Sequence, residues 1–315
     1  MLSFLSSLFS SNKSNERDLS FGLNARLSIA SLLQKQQWEQ IDAIARHLTS
    51  DEVSRLIDGI CLTDRYNKSI QLFIRSANTE FSHLLAGAWY LYQAWQARTG
   101  KWAEDLSKSE VEGFLHYLQL ARLKLGGSFQ QEAYRCEARA RLVRAEMGLS
   151  KPDKALAAFQ QSIALDDTKF WAYHHVFKLV SPKWLGDKDE LVAYIRSVEK
   201  QDIQYTLWLM FLIEMYSDIE EEKAAPKRWY NEHEPVIQKI LAQPKLPVND
   251  SLVSIYANNN LAYLYHVVGQ KEERDAVLDK LVDRFPPYPW AYFGIESGSD
   301  TEMRQFRQSA AHPRP

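Results

Sequence analysis

The stretch GLSKPDKALAAFQQSIALDDTKFWAYHH, residues 148 to 175, contains a turn, a helical pattern and the start of a second helix. After Pro152, small and large apolar residues recur at the spacing of one helix face, at Ala155, Phe159, Ser162 and Leu165. The polar break LDDTK then precedes Trp-Ala-Tyr at 171 to 173. The stretch therefore predicts two helices joined by a short connection.

A related stretch, GQKEERDAVLDKLVDRFP, occupies residues 269 to 286. At an interval of 121 residues, Gly269 corresponds to Gly148 and Ala276 corresponds to Ala155. An apolar-striped helix precedes both stretches, EARARLVRAEM in one case and NNLAYLYHVV in the other. The recurrence predicts a repeated unit, because a helix pair cannot bury its apolar face alone and must stack on the next pair.

The pattern resembles the tetratricopeptide repeat, a helix pair of about 34 residues. In that repeat a small residue allows close helix crossing, and a large aromatic residue opens the first helix of each unit. Trp-Ala-Tyr recurs here after 119 residues, so Trp171 and Trp290 would be that aromatic. The resemblance implies that both indoles are largely buried against the helices that contain Ala155 and Ala276.

Two further stretches, AWQARTG (94 to 100) and SPKWLGDKDELVAYIR (181 to 196), resemble the signatures of an uncharacterised bacterial family of tetratricopeptide-like helices. That family, a domain of unknown function, has an Ala-Trp-x-Ala-Arg-Gly stretch and a later Pro-basic-Trp-Gly-Gly turn. The resemblance covers about residues 24 to 200. Thr99 and Leu185 depart from its pattern. Because the family has no established activity, the resemblance implies a fold and a bacterial origin.

Helical periodicity dominates the remaining sequence, and the apolar-polar alternation of a strand is not sustained anywhere. The predicted fold class is all-α, a tetratricopeptide-like α-solenoid of antiparallel helix pairs. Four segments are predicted: a flexible leader (1–18), a tetratricopeptide-like helical domain (19–200), a C-terminal helical extension of the same solenoid (201–296) and a loosely ordered tail (297–315).

The charge balance argues against a nucleic-acid partner, because the formal net charge of the chain is −2. An acidic group occurs at Glu214, Asp218 and 220 to 222. A local positive excess lies between 122 and 154, and we interpret both groups as solvated helix faces. The basic residues in that range are Arg122, Lys124, Arg135, Arg139, Arg141, Arg144, Lys151 and Lys154. The acidic residues in the same range are Glu132, Glu137, Glu146 and Asp153.

The sequence indicates no cofactor and no metal. Cys61 and Cys136 are its only cysteines, with no CxxC spacing, which suits a reducing compartment and a cytoplasmic location. Phosphate-binding loops, GxSxG and HExxH are absent from the sequence. The adjacent pair His174 and His175 points in two directions on a helix, which makes a poor metal site.

The N-terminal stretch MLSFLSSLFSSNKS lacks a positive region before its apolar residues, which argues against a secretory signal. Its leucines fall at helical spacing, so an interfacial helix over residues 1–10, in contact with a membrane, is one interpretation. A frayed, partly ordered leader is the other interpretation and the one we adopt.

The partner-binding residues are predicted from the concave surface of tetratricopeptide scaffolds, which the first helix of each pair lines. On that basis the exposed candidates are Arg141, Arg144, Asn258 and Tyr265. An arginine fork can hold a peptide carboxylate. The aromatic residues at 170 to 173 with Trp184 are read as core, and a ligand-stacking platform is the alternative.

The first functional hypothesis is a non-catalytic helical-repeat protein that binds a protein or peptide partner, as an adaptor or as a bacterial immunity or secretion-accessory factor. One alternative is a hydrolase or transferase whose site combines dispersed histidines and carboxylates near His174 and Trp184. Another is a peripheral membrane-associated scaffold. A deep pocket of convergent titratable groups would favour the enzyme, and an open groove would favour the binding protein.

Overall fold

The computed structural model describes residues 17–99, 101, 103–218, 225–295 and 300–309. Every regular element in these ranges is an α-helix or a short 3-10 helix, which confirms the all-α class. The chain divides into two compact units. The N-terminal unit is Asp18–Ser197, and the C-terminal unit is Val198–Pro315 with the segment that ends at Arg17.

Residues 80 to 148 contain the three longest helices that the structure describes in the N-terminal unit. In chain order the helices of this unit are α1 Leu23–Arg26, α2 Ile29–Gln34, α3 Trp38–Ala45, α4 Ser50–Cys61, α5 Asn67–Ser76, α6 Glu80–Arg98, α7 Lys108–Leu125, α8 Glu132–Gly148, α9 Pro152–Ile163, α10 Phe170–Leu179 and α11 Lys188–Ser197.

Local sequence explains where several of these helices begin. The side chain of Thr49 accepts a hydrogen bond from the backbone N–H of Glu52, and the Glu52 carboxylate accepts one from the Thr49 backbone. The same capping box opens α7 at Ser107, where Glu110 is the partner. Each such cap satisfies N–H groups that a helix leaves unpaired, and is worth about 1 kcal/mol.

Helix α8 is the centre of the N-terminal unit, where it contacts α4, α6, α7, α9 and α10. Ala138, Ala140 and Ala145 are buried on it, and such small side chains let neighbouring helices approach closely. Most of the surface of α8 is therefore covered by other helices. A charged residue of α8 lies in the interior of the unit, except along the narrow edge of the helix that stays exposed.

The C-terminal unit is built around α14, whose residues are almost all buried. Such all-round burial indicates a helix covered by neighbours on every side. Helix α14 packs against α12 and α15, and α13 packs against α12. The helices are α12 Gln201–Ser217, α13 Ala225–Ala242, α14 Leu252–Val267, α15 Lys271–Leu281 and α16 Asp300–Gln308.

The predicted loose tail is partly helical. Helix α16 falls within 297–315, and it buries Met303 and Phe306. The Phe306 ring stacks at 5.6 Å on Tyr263 of α14. The prediction is therefore wrong for residues 300–309, because two apolar side chains on one face anchor the segment. The leader up to residue 16, and residues 310–315, lie outside the described residues.

The two related stretches adopt the same turn, in a register of 119 residues. Ser150 and Gly269 both have a left-handed backbone, with φ of 54° and 75°. Ser150 N–H donates to Met147 O (2.9 Å), and Gly269 N–H donates to His266 O (3.2 Å). The turns thus close with equivalent hydrogen bonds at equivalent positions.

The buried faces of the helices that follow keep this register. Helix α9 buries Ala155, Phe159 and Ser162, and helix α15 buries Arg274, Leu278 and Leu281 at the same spacing. The predicted 121-residue correspondence is therefore wrong. Ala276 is exposed and makes no helix crossing. Gly148 is still helical, and a Cβ there would lie only 2.8 Å from Leu118 Cδ1.

The two tryptophans differ in their burial. Trp290 is fully buried, which confirms its predicted burial, and its indole N–H donates to Asn259 Oδ1 on α14 at 2.7 Å. Trp171 is only half-buried, and its indole N–H donates to Asp58 Oδ2 on α4 at 2.8 Å. A polar contact with α4 thus positions Trp171, whereas the prediction is a largely buried indole against the helix that contains Ala155.

Candidate functional site

The two signature stretches of the sequence meet in the N-terminal unit. Trp95 and Arg98 lie on α6, and Trp184 lies in the turn after α10. The indole rings of Trp95 and Trp184 meet edge to face at 5.0 Å. Arg144 of α8 joins them, and we call these four residues the Arg–Trp cluster. Three segments far apart in sequence therefore converge on one patch.

Cation–π contacts hold the Arg–Trp cluster together. The guanidinium carbon of Arg144 lies 3.9 Å from the centre of the Trp95 ring and 5.4 Å from that of Trp184. The guanidinium carbon of Arg98 lies 4.9 Å from the Trp184 ring. Each such contact contributes about 0.5–1 kcal/mol at an exposed site, and more where water is excluded. Burial lowers the pKa of Arg98, but an arginine stays charged.

The Arg–Trp cluster is partly open to solvent. Trp184, Arg98 and Arg144 are half-buried, whereas Trp95 is 8% exposed. The Trp95 indole N–H is buried and has no hydrogen-bond partner among the described residues. The patch therefore presents two guanidinium groups over aromatic rings at the surface of the unit.

The turn that carries Trp184 has a fixed geometry. Trp184 N–H donates to Ser181 O at 2.9 Å, and Leu185 N–H donates to Leu179 O at 3.1 Å. A Cβ on Gly186 would lie 2.2 Å from Val180 O, so only glycine fits there. Leu185, where the resembled family has glycine, has no left-handed backbone, so leucine is accommodated.

The other departure from the family pattern falls at a position that glycine would suit. Thr99 caps α6 with φ 60° and ψ −172°, a backbone conformation that residues other than glycine rarely adopt. In the resembled pattern glycine directly follows the arginine, and here threonine stands in that place.

A buried ion network lies on the same helix α8, and consists of Asp58, Glu137, Arg141 and Lys169. Arg141 Nη2 is 2.7 Å from Asp58 Oδ1, and Arg141 Nε is 2.5 Å from Glu137 Oε1. Lys169 Nζ is 2.6 Å from Glu137 Oε2. Residue exposures run from 0% for Glu137 to 6% for Arg141. The network thereby ties α4, α8 and the start of α10 together.

Burial and the neighbouring positive charges shift the pKa values of the network's carboxylates in opposite directions. Burial raises the pKa of Glu137, but the charges of Arg141 and Lys169 outweigh it and hold the pKa at about 2. Burial raises the pKa of Asp58, and the Arg141 guanidinium offsets only part of that effect. A buried pair of opposite charges is strongly destabilised when one member is removed, because the other is left unpaired.

Two histidines lie between the ion network and the Arg–Trp cluster. The His175 ring stacks on Trp171 at 5.7 Å, and its Nδ1 lies 2.9 Å from Ala140 O. The His174 ring meets Trp171 edge to face at 4.9 Å. Burial and then the charge of Arg144 lower the pKa of His175 to about 3, and burial lowers that of His174 well below its usual range. Both rings are therefore neutral near pH 7.

The structure separates the two predicted binding residues of α8. Arg144 belongs to the Arg–Trp cluster and is half-buried. Arg141 is 6% exposed and lies inside the ion network, so its predicted exposure is wrong. Helix geometry explains the difference. Three residues along a helix rotate the side-chain direction by about 300°, so Arg141 lies in the interior while Arg144 lies at the edge of the unit.

The two predicted binding residues of α14 are also buried, so their predicted exposure is wrong. The Asn258 side-chain amide donates to Leu246 O at 3.3 Å and to Ser254 O at 2.8 Å. Tyr265 is 7% exposed, and burial raises its pKa. Because α14 is enclosed on all sides, both residues stabilise the interior of the C-terminal unit.

The charged residues of the ion network were not singled out from the sequence as a group. The predicted solvated faces include Glu137, Arg141, Glu146 and Glu214, and the prediction is wrong for these four residues because all of them are buried. One signal was present. Glu137 and Arg141 lie four residues apart beside the small residues of α8, and a charge among small apolar residues indicates a paired interior ion.

The described residues contain no group of three or more His, Cys, Asp or Glu side chains that could hold a metal ion. None of the helices in the described ranges is both long and apolar enough to cross a membrane.

Comparison of this chain with known protein families, with curated proteins and with solved structures found no match. The resemblance of residues 94 to 100 and 181 to 196 to an uncharacterised family therefore stays a prediction.

Proposed function

We propose that this chain is a non-catalytic helical-repeat protein that binds a protein or peptide partner through the Arg–Trp cluster. The observation that carries this proposal is the convergence of Trp95, Arg98, Arg144 and Trp184 on one partly open patch. Within each unit the helix pairs would stack as in a tetratricopeptide-like solenoid. The equivalent turns at Ser150 and Gly269 support that arrangement.

The chemistry of the patch favours a carboxylate with an adjoining apolar or aromatic group. Guanidinium groups bind carboxylates through paired N–H donors, and Trp and Arg are the residues most enriched in interface hot spots. The indole of Trp95 adds a buried N–H that has no partner among the described residues. A peptide C-terminus, or an acidic side chain next to an aromatic one, would complement this set.

The buried ion network gives the patch a firm support. It joins α8, which carries Arg144, to α4 and to the start of α10. A rigid surface lowers the entropic cost of binding, because fewer side chains have to be ordered when the partner arrives. A role as an adaptor, or as a bacterial immunity or secretion-accessory factor in the cytoplasm, would use such a surface without any catalysis.

The test is a binding selection from a displayed peptide library against the full-length chain. The expected result is enrichment of peptides with a free C-terminal or side-chain carboxylate, and their affinity should fall at least about tenfold in Arg144→Ala and in Trp184→Ala. Arg135→Ala is the matched control, because Arg135 is a half-buried arginine on the same helix, away from the two indoles.

Circular dichroism should show that the variants keep their helix content. Selected peptides that bind Arg144→Ala and Trp184→Ala as tightly as the unchanged chain would contradict the proposal. So would a selection that enriches basic or uncharged peptides only.

A further inference from the structure

A cleft of about 430 Å³ lies in the N-terminal unit, and it contains none of the residues of the Arg–Trp cluster. One wall is a stripe of α3 and the residue that follows it, with Trp38, Asp42 and Arg46 at successive steps of four. The other wall is the end of α5 with the loop to α6, residues 76 to 79. This volume is within the range of small-ligand sites.

Asp42 lines this cleft, and one of its carboxylate oxygens has no hydrogen-bond partner among the described residues. The Asp42 side chain is 7% exposed, and its Oδ2 is held by Arg46 Nη2 at 2.7 Å. Its Oδ1 is buried and has no hydrogen-bond partner among the described residues. The Tyr134 hydroxyl is also buried and has no partner in the part of the chain that the structure describes. Burial, and after it the charge of Asp42, raises the pKa of Tyr134. A buried carboxylate oxygen left without a donor is costly, so a donor from outside would stabilise it.

The surroundings of Asp42 favour a cation as that donor. The lining holds two carboxylates, Glu39 and Asp42, against one guanidinium, that of Arg46. The Trp38 indole stacks on Phe73 at 5.0 Å, is half-buried and lines the cleft, where an aromatic ring attracts a cation. The carboxyl end of α5 adds the negative end of a helix dipole.

We infer that this cleft binds a primary alkylammonium group, from a lysine side chain or from a small aliphatic amine. The ammonium donates to the Asp42 carboxylate, its alkyl chain lies along Trp38, and it takes the place that Arg46 holds in the structure. Arg46 is 61% exposed on its side chain, so it can turn to solvent when it is displaced. This inference does not depend on the Arg–Trp cluster or on its partner.

The test is isothermal titration calorimetry of the full-length chain with n-butylammonium chloride, and with n-butanol as the uncharged probe. We expect saturable binding of the ammonium and none of the alcohol. Asp42→Asn should weaken the ammonium affinity at least about tenfold, because it removes the charge. Arg46→Ala should strengthen it several-fold, because the internal competitor is removed.

A second arginine provides a matched control for the gain in affinity expected of Arg46→Ala. Arg26 is 60% exposed and pairs with Glu52 at 3.1 Å, outside the cleft, so Arg26→Ala should leave the ammonium affinity unchanged. Titration with Nα-acetyl-lysine methylamide then distinguishes the sources. Tighter binding than that of n-butylammonium indicates a peptide lysine, and weaker binding indicates a free amine.

Three outcomes would overturn the inference. They are equal binding of n-butanol, absence of saturable ammonium binding in both the unchanged chain and Arg46→Ala, and unchanged affinity in an Asp42→Asn variant with intact helix content. If Asp42→Asn fails to fold, the gain in affinity expected for Arg46→Ala, against the unchanged affinity expected for Arg26→Ala, still decides the question.

Discussion

At the scale of the residue, the N-terminal unit owes its specificity to a few charges in its interior. Glu137 has no exposed surface, and both of its oxygens bind cations, Arg141 on one side and Lys169 on the other. Asp58 likewise uses one oxygen for Arg141 and the other for the Trp171 indole. Because every carboxylate oxygen of the network has a partner, the network fixes one arrangement of three helices.

Removal of Arg141 should therefore destabilise the chain strongly. Arg141→Ala leaves Glu137 with one cation and Asp58 with none, and breaking a buried pair costs about 3–5 kcal/mol. Urea unfolding followed by circular dichroism at 222 nm checks this value. Arg135→Ala on the same helix is the control, and it should change the free energy of unfolding by no more than about 0.5 kcal/mol. Equal effects of the two variants would show that the network contributes no stability.

At the scale of the element, the turns after α8 and α14 share one geometry but not one residue type. Ser150 adopts the left-handed conformation that Gly269 adopts 119 residues later. In that conformation a Cβ approaches the following carbonyl and costs about 1–2 kcal/mol, whereas glycine has no Cβ. The N-terminal copy therefore carries a strain that the C-terminal copy lacks.

This difference predicts opposite effects of two substitutions. Ser150→Gly should raise the free energy of unfolding by about 0.5–1 kcal/mol, since the relief of strain exceeds the added freedom of the unfolded chain. Gly269→Ala should lower it by about 1 kcal/mol. Urea midpoints of both variants test the pair. A change of the same sign in both would mean that the two turns are not equivalent.

The helices could be predicted from periodicity, and the Ser107 cap has the expected capping box, because both depend on residues close in sequence. The repeat register could not be read correctly from residue identity. The two glycines at 148 and 269 look equivalent, yet Gly148 makes room for Leu118 and only Gly269 has the left-handed turn. The residue equivalent to Gly269 is Ser150, so the two turns share a backbone conformation although their residue types differ.

At the scale of the whole molecule, the fold class follows from composition and periodicity, but the sites do not. The Arg–Trp cluster joins α6, α8 and the turn after α10, and the cleft at Asp42 joins α3 to the end of α5. No local pattern indicates which helix faces will meet. Exposure was misjudged for the same reason at Arg141 and Asn258, because a helix enclosed by several neighbours has no solvated face.

The free energy of unfolding should fall as the pH falls. Protonation of His174 and His175 should cause the loss at the upper end of the acidic pH range. Their folded-state pKa values lie below the usual 6.5, with His175 at about 3. The unfolded chain therefore binds their protons first, and stability is lost as the pH falls from about 6.5 towards 3. Glu137, with a folded-state pKa of about 2, has the same sign but acts only below about pH 4.5. Asp58, whose pKa is raised by burial, has the opposite sign above its ordinary pKa.

The pH range between 6 and 5 thus separates the histidines from Glu137, which acts only at lower pH. There each buried histidine should contribute a slope of up to about 1.4 kcal/mol per pH unit to the free energy of unfolding. His175→Phe, which keeps a ring against Trp171, should remove one such contribution whatever its effect on stability at pH 7.5. His83→Gln, at an exposed position, should leave the slope unchanged. Urea unfolding at half-unit steps of pH measures all three slopes, and an unaltered slope in His175→Phe would show that His175 is not held neutral by burial.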